Sequence, residues 1–394
     1  MKGKKRHDFI YWFGRLILYR PLARKFSFKC DDIKVEHSPY IVIANHLTNW
    51  DPLLIGMSFR KNMYYVASDH ILRMGLKSKI LEFVIAPIAR AKTAQETQTV
   101  INIFRRLKAK CNICIFAEGT TSFDGKTGDV PPSMAKLVKR AGVALVTYRF
   151  TGAYFTIPRW TRNVRKGKME GRLVRIYSPD EIASMSEDEI YQAIIKDIYV
   201  NAYDDQEKNK QAFRGKNLAE HLETILYCCP ECKQFGTLKS CNDILSCVAC
   251  GFKVRYNEYG YFEAPNSSGK PPEFKTILDW VKWEREEINA LALKDLNADG
   301  ALPVPLFTDE DQELYETARA SHNILISKGK LEFSRNKLSV GQVEFSLDEI
   351  IEMGVITMKT VVFAVKDKVY EIHSKHPRSA LKYMDIFNVL KNKK

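Results

Sequence analysis

Tyr40-Ile41-Val42-Ile43-Ala44-Asn45-His46-Leu47-Thr48-Asn49-Trp50-Asp51 decides the fold of this chain. Its first five residues form a continuous apolar run, which suits a strand covered on both faces. Asp51-Pro52 followed by Leu53-Leu54-Ile55 reads as an N-cap, a first-turn proline and an apolar helix. Strand followed by helix predicts an α/β domain, with His46 at the carboxyl end of a strand, where open α/β sheets place their sites. His46 and Asp51 stand five positions apart, whereas neighbours on one helical face are three or four apart. The pair therefore meets only on a turn or helix entrance. There an imidazole accepts a proton near neutrality while a carboxylate fixes its tautomer. The competing reading has Asp51 merely capping the helix and His46 satisfied within the turn.

A second element has the same form. Ile113-Cys114-Ile115-Phe116 runs into Ala117-Glu118-Gly119-Thr120-Thr121-Ser122. Two polar loops after two buried strands imply one shared cleft. Between them Val84-Ile85-Ala86-Pro87-Ile88-Ala89-Arg90 ends in a guanidinium, which grips a phosphate bidentately.

These residues resemble the glycerophospholipid acyltransferases of the PlsC type over about residues 30 to 180. That family's N-H-x4-D block is matched by Asn45, His46 and Asp51, and its F-P-E-G-T block by Phe116, Glu118, Gly119 and Thr120. Its middle block, ending in arginine, is matched loosely by Arg90, and its last block falls near Ala144-Leu145-Val146-Thr147. Two departures matter. Ala117 replaces the usual proline, and Thr121 stands where many members have arginine, so phosphate binding by this loop shifts to Glu118-Gly119-Thr120 and to other cations.

The resemblance implies catalysis by His46 and Asp51, with Asn45, Arg90, Glu118, Gly119 and Thr120 binding substrate. A lysophospholipid hydroxyl gives its proton to His46 and attacks an acyl thioester, whose thiolate leaves with little assistance. That scheme calls for no catalytic cofactor. Glu118 either orients its loop or bonds the acceptor's hydroxyls, and Gly119 lets backbone approach a ligand closely.

Charge fits an anionic partner. The chain carries +14, but residues 1–175 hold 33 Lys+Arg against 12 Asp+Glu, net +21, while residues 176–394 hold 28 against 35, net −7. Phe9-Ile10-Tyr11-Trp12-Phe13-Gly14-Arg15-Leu16-Ile17-Leu18-Tyr19-Arg20 follows Lys2, Lys4, Lys5 and Arg6. It falls short of the roughly 18–20 apolar residues that span a bilayer. Interrupting cations and the lack of a cleavage site argue against a signal peptide. Two readings stand: a helix in the membrane interface with its aromatic face down, or a first helix packed on the domain. The apolar content beside the charge favours an anionic membrane surface over nucleic acid, and the expected place is the cytoplasmic face of the cell membrane, peripheral or monotopic.

Thr97 to Lys110 and Ser133 to Arg140 read as helices, Val143 to Tyr148 as a strand, and Gly171 to Tyr177 as a half-exposed edge strand. Ser186-Glu187-Asp188-Glu189 opens a capped helix to about Tyr203. Cys229-x2-Cys232 and Cys247-x2-Cys250, fourteen residues apart, have zinc-ribbon spacing, so a structural Zn2+ is expected. A redox dithiol or disulfides compete, and Cys228 and Cys241 are alternative ligands. A helix is read from Phe274 to Leu293, then short alternating strands from Leu325, closed by a helix from Pro377 to Leu390. That last pattern resembles a pleckstrin-homology or GRAM-like module, which binds lipid or protein or packs on its neighbour.

The expected organisation is an amphipathic interface helix over 1–29 and an acyltransferase domain over 30–215 with a mixed sheet flanked by helices. A zinc ribbon over 216–264, a helical linker over 265–306 and a β-rich domain over 307–394 follow. Three functions remain open. The chain transfers an acyl group from acyl-CoA or acyl-carrier protein to lysophosphatidic acid, or to another lyso-lipid, or it is a non-catalytic scaffold for lipid or nucleic acid.

Overall fold

The computed structural model describes residues 3–68, 76–90, 96–267, 269, 271–293, 305–317 and 323–392. Lys2, part of the expected linker (268, 270 and 294–304) and residues 318–322 lie outside these. The chain divides into two compact units, Met1–Gly215 and Lys216–Lys394.

The first unit begins with helix α1 (Lys4–Phe26) and β1 (Phe28–Cys30), then β2 (Tyr40–Ala44) and α2 (Asp51–Ser58). Strand and helix alternate through β3 (Met63–Ser68), α3 (Leu76–Val84), β4 (Ile88–Arg90), α4 (Glu96–Lys108), β5 (Asn112–Phe116), α5 (Ser133–Ala141) and β6 (Ala144–Thr151). The short α6 (Ala153–Thr156) leads to β7 (Met169–Tyr177), α7 (Pro179–Ser184), α8 (Glu187–Ile198) and α9 (Ala202–Asn209). Among the described residues the strands form one sheet in the order β1-β7-β6-β2-β5-β3-β4.

β2 lies in the middle, parallel to both β5 and β6, which is why its five residues are all buried. β3 and β4 continue the parallel order, and β7 runs antiparallel to β6, so the sheet is mixed. β1 pairs with Met169 to Gly171, so of the expected edge stretch Gly171 to Tyr177 only Gly171 is covered on that side and the remainder is half-exposed edge. Helices cover one face through Ile103, Leu107, Leu137, Val138, Ile190 and Ile194, packed on Ile41, Ile43, Ile113 and Ile115.

The helix opened at Ser186 stops at Ile198, where Tyr199 turns extended, and α9 starts afresh at the Asn201 cap. Ser186 and Glu189 form the expected capping box. α1 does two things at once. Tyr11 Oη donates to the Gly56 and Phe59 carbonyls at 2.6 and 2.8 Å, fastening one side to α2. Phe9, Trp12, Phe13, Leu16 and Ile17, spaced along one helical face, are exposed. No helix among the described residues is long and apolar enough to cross a membrane.

The second unit contains an antiparallel sheet of β8 (Leu238–Cys241), β9 (Ile244–Cys247), β10 (Lys253–Tyr256) and β11 (Phe262–Glu263), followed by α10 (Ile277–Leu293). Then come β12 (Phe307–Thr317), β13 (Ile324–Phe333), β14 (Lys337–Val340), β15 (Val343–Ser346), β16 (Ile350–Ile356), β17 (Thr360–Val365), β18 (Lys368–Ser374) and α11 (Leu381–Lys391). These strands make one antiparallel sheet ordered β15-β14-β13-β12-β18-β17-β16.

Candidate active site

β2 and β5 are adjacent and parallel, so the turns after them open at the same end of the sheet. His46 leaves the first turn and Glu118 the second. His46 Nδ1 lies 2.9 Å from Asp51 Oδ2. Asp51 is fully buried, while the His46 side chain keeps 16% of its surface exposed.

The carboxylate also accepts from Leu47 N at 2.7 Å, Thr48 N at 2.9 Å and Thr48 Oγ1 at 2.6 Å. Four donors compensate its burial, as a buried charge requires. Asp51 is therefore the first residue of α2 rather than its N-cap, and its side chain closes the preceding turn. Facing an acceptor-only carboxylate, Nδ1 carries the imidazole proton and Nε2 is left as the acceptor. The ring stacks on Phe116, with centroids 4.3 Å apart, which fixes its plane.

Glu118 supports this ring from the neighbouring loop. Its Oε1 accepts the His46 N–H and its Oε2 the Gly128 N–H, each at 2.6 Å. Burial pushes its carboxyl up to about 8, against the downward pull of those two N–H groups. Both oxygens are thus engaged by backbone. Ser122 N donates to the His46 carbonyl at 2.9 Å, a second tie between the two turns.

Asn45 does not face the cleft. It is fully buried, donating through Nδ2 to Phe150 O at 3.1 Å and accepting from Phe150 N at 2.8 Å. Its side chain thereby braces β2 against β6.

Arg90, at the end of β4, lies against Gly119. A Cβ built on Gly119 would come within 2.2 Å of Arg90 Nη1, and Gly119 has φ of +71°. The positive φ favours glycine there, and any side chain would push the Arg90 guanidinium aside. Thr120 Oγ1 accepts from Arg159 Nη1 at 2.7 Å, and the same nitrogen reaches Thr121 O and Thr121 Oγ1 at 3.0 and 2.9 Å. Arg159 also lies over the Phe123 ring at 4.0 Å, and burial lowers its guanidinium to about 10. Sequence reasoning missed Arg159, which stands thirty-nine residues beyond Thr120 in an irregular connection with no periodic signal.

The four expected ligand cysteines, Cys229, Cys232, Cys247 and Cys250, have their sulfurs within 4.8 Å of one another. Cys229 Sγ is 3.7 Å from Cys250 Sγ, and Cys232 Sγ is 3.8 Å from Cys247 Sγ. Thiolates about 2.3 Å from a tetrahedral zinc stand roughly 3.8 Å apart, so the cluster fits that ion. A disulfide requires about 2.05 Å. Cys228 and Cys241 are not part of the cluster. Glu284 of α10, fully buried, accepts the Tyr227 and Cys228 N–H groups at 2.6 Å, and Trp280 Nε1 donates to Cys228 O at 3.0 Å. α10 thereby holds the chain entering the first cysteine pair.

Residues 27–151, from the start of β1 to the end of β6, match the family model described as Acyltransferase. That match covers about a third of the chain. The chain is similar to the crystal structure of the 1-acyl-sn-glycerophosphate (LPA) acyltransferase PlsC from Thermotoga maritima. Identity is 17%, the similarity covers 50% of this chain and 82% of that one, and the TM-score is 0.41. Comparison with curated proteins gives no match.

Proposed function

We propose that the protein is a membrane-associated lysophospholipid acyltransferase that moves an acyl chain from acyl-CoA or acyl-carrier protein to the free hydroxyl of lysophosphatidic acid, forming phosphatidic acid. The 2.9 Å bond between His46 Nδ1 and Asp51 Oδ2, inside the matched domain, carries this reading. It leaves Nε2 free to take the hydroxyl proton as the oxygen bonds to the thioester carbonyl carbon. The tetrahedral intermediate then collapses with cleavage of the carbon–sulfur bond, and the imidazolium returns its proton to the departing sulfur or to solvent. Arg90, beside Gly119, is the proposed partner of the acceptor's phosphate, and Asn45 and Glu118 hold the backbone that presents His46.

One observation favours a second acceptor class, another lysophospholipid. The cation on Thr120 and Thr121 is Arg159, reaching in from the connection between α6 and β7. A phosphate would therefore meet a differently placed charge on this loop.

Attachment to the cytoplasmic face of the membrane is proposed through α1. Each large apolar side chain taken out of water contributes roughly 1.5–3 kcal/mol. A Lys or Arg near an anionic surface adds about 1 kcal/mol. With five exposed apolar residues on one face, burial of that face would dominate. The four cysteines are proposed to hold a structural Zn2+, whose role is to fix the two knuckles. The seven strands β12 to β18 with α11 support a pleckstrin-homology-like reading of the terminal module, proposed to pack or bind a partner.

The test supplies the purified chain with acyl-CoA and a mixture of lyso-acceptors and identifies the product lipid by mass. Phosphatidic acid is expected. Another acylated phospholipid would transfer the proposal to the second acceptor class, and no acylated lipid from any acceptor would end it.

A further inference from the structure

The turn that carries His46 is gripped from outside by α1. Trp50 joins that turn to α2: its carbonyl accepts the Leu53 and Leu54 N–H groups at 3.0 Å, which opens the helix, and its own N–H donates to Thr48 Oγ1 at 3.1 Å. The Thr48 hydroxyl in turn donates to Asp51 Oδ1 at 2.6 Å, and Asp51 Oδ2 faces His46 Nδ1. The Trp50 backbone therefore stands two hydrogen bonds from the carboxylate that orients the imidazole.

The Trp50 ring is held by the end of α1. Phe26, fully buried, meets it with ring centroids 5.2 Å apart, and Lys25 Nζ lies 4.3 Å from its centre. Lys25 lies over the Phe26 ring as well, at 5.3 Å, so one cation covers both faces of the contact. α1 also holds the far end of α2, where Arg15 Nε donates to Met57 O at 3.0 Å beside the two Tyr11 bonds. The helix that begins with Asp51 is thus anchored at both ends by α1.

Three of the four donors on Asp51 belong to Leu47 and Thr48, in the turn itself. A shift of the Trp50 backbone would carry Thr48 and Asp51 with it, and a displacement of order 1 Å at a reacting group is costly. A half-buried indole fixed by a second ring and a cation is a large rigid handle on so short a turn.

We propose that Trp50 is a positioning residue for His46, locked by Phe26 and Lys25, so that α1 sets the alignment of the imidazole. Trp50 acts through Thr48 and Asp51 and touches no reacting atom. This role rests on the reading of His46 as the base. The helix proposed to lie on the membrane is then also the one that holds the catalytic turn.

The test follows solvent exchange of the His46 Nδ1 proton by NMR in the full chain labelled with 15N-histidine, the signal being identified by its loss in His46→Gln. Trp50→Leu and Phe26→Leu should speed exchange roughly three- to tenfold, the scale of one aromatic contact, while Trp50→Phe, which keeps the ring, and the exposed control Tyr199→Leu should not. In turnover, Trp50→Leu should lower kcat by a similar factor with both KM values unmoved, and Trp50→Phe should restore it. Trp50 is half-buried, so its variants report even if Phe26→Leu fails to fold. The exchange measurement needs no turnover, so a native chain that transfers no acyl group would end the proposed reaction while the predicted exchange still supported the clamp on the imidazole. Native exchange in Trp50→Leu, or equal acceleration in Trp50→Phe, overturns the role of Trp50.

Discussion

The backbone N–H of His46 and the carboxylate of Glu118 meet at 2.6 Å, joining the turn after β2 to the turn after β5. Glu118 Oε2 takes Gly128 N–H at the same distance, so one half-buried side chain braces three segments. The aligned imidazole is therefore a property of two loops rather than of the His46 turn alone. Replacing Glu118 with Gln puts an amide N–H against a backbone N–H. A displacement of order 1 Å at the reacting group can cost about 100-fold, so kcat should fall by up to that factor with KM changed less. Equal losses in both parameters would place Glu118 on the substrate.

The same carboxyl gives stability a pH signature. Its value rises from 4.5 to about 8 because burial disfavours the charge. A group raised in the folded state contributes stability that is fully present below its unfolded value and lost as pH rises through its folded value. Melting temperatures of the native chain and Glu118→Gln, measured between about pH 5 and about pH 9, should show the native chain losing ground steadily as pH increases. A constant difference would mean that Glu118 is ionised throughout.

Gly119 keeps Arg90 in place by having no side chain. Gly119→Ala would set a methyl within 2.2 Å of Arg90 Nη1 at a φ of +71°. The acceptor's KM should rise about tenfold while the donor's is unmoved, and Arg90→Ala should do the same. Because both changes act on one contact, the double variant should be no worse than the poorer single one. Additive losses would separate the two residues.

Glu284 offers a measurement on the cysteine cluster that needs no turnover. It accepts two N–H groups just ahead of Cys229, the outer support that sets ligand orientation. Removing such a partner typically costs about 10- to 100-fold in metal affinity. Zinc competition with a chromophoric chelator should show that loss in Glu284→Leu, which removes the one oxygen accepting both N–H groups, with little change in Glu287→Gln, whose parent residue pairs with exposed Lys233. Unaltered affinity in Glu284→Leu would make the contact one of fold stability alone.

The strands and turns of the site were legible because their signals are local. Tyr40 to Ala44 and Ile113 to Phe116 are apolar runs that can only be covered on both faces, and they emerge as adjacent central strands. The cysteine spacing likewise carries its own geometry. Contacts made across sequence distance were not readable. Asn45 looks like a residue aimed at a ligand until β6 is placed beside it, since Phe150 lies 105 positions away. Glu284 sits in the charged run Glu284-Arg285-Glu286-Glu287, where nothing marks one glutamate as buried. The face of α1 shows the converse: its spacing was clear, while Tyr11 and its two carbonyl partners appear only once α2 is in place.

The most direct test of the central claim is single-turnover transfer from acyl-CoA to lysophosphatidic acid, following free thiol and product lipid together in the native chain and in His46→Ala. Thiol and phosphatidic acid should appear in equal amounts in the native chain, and His46→Ala should slow both by about 10²- to 10⁴-fold, the range supplied by a positioned base, while still binding vesicles. Transfer at the native rate by His46→Ala, or thiol released without acylated lipid, would contradict the assignment of His46 as the base of an acyl transfer.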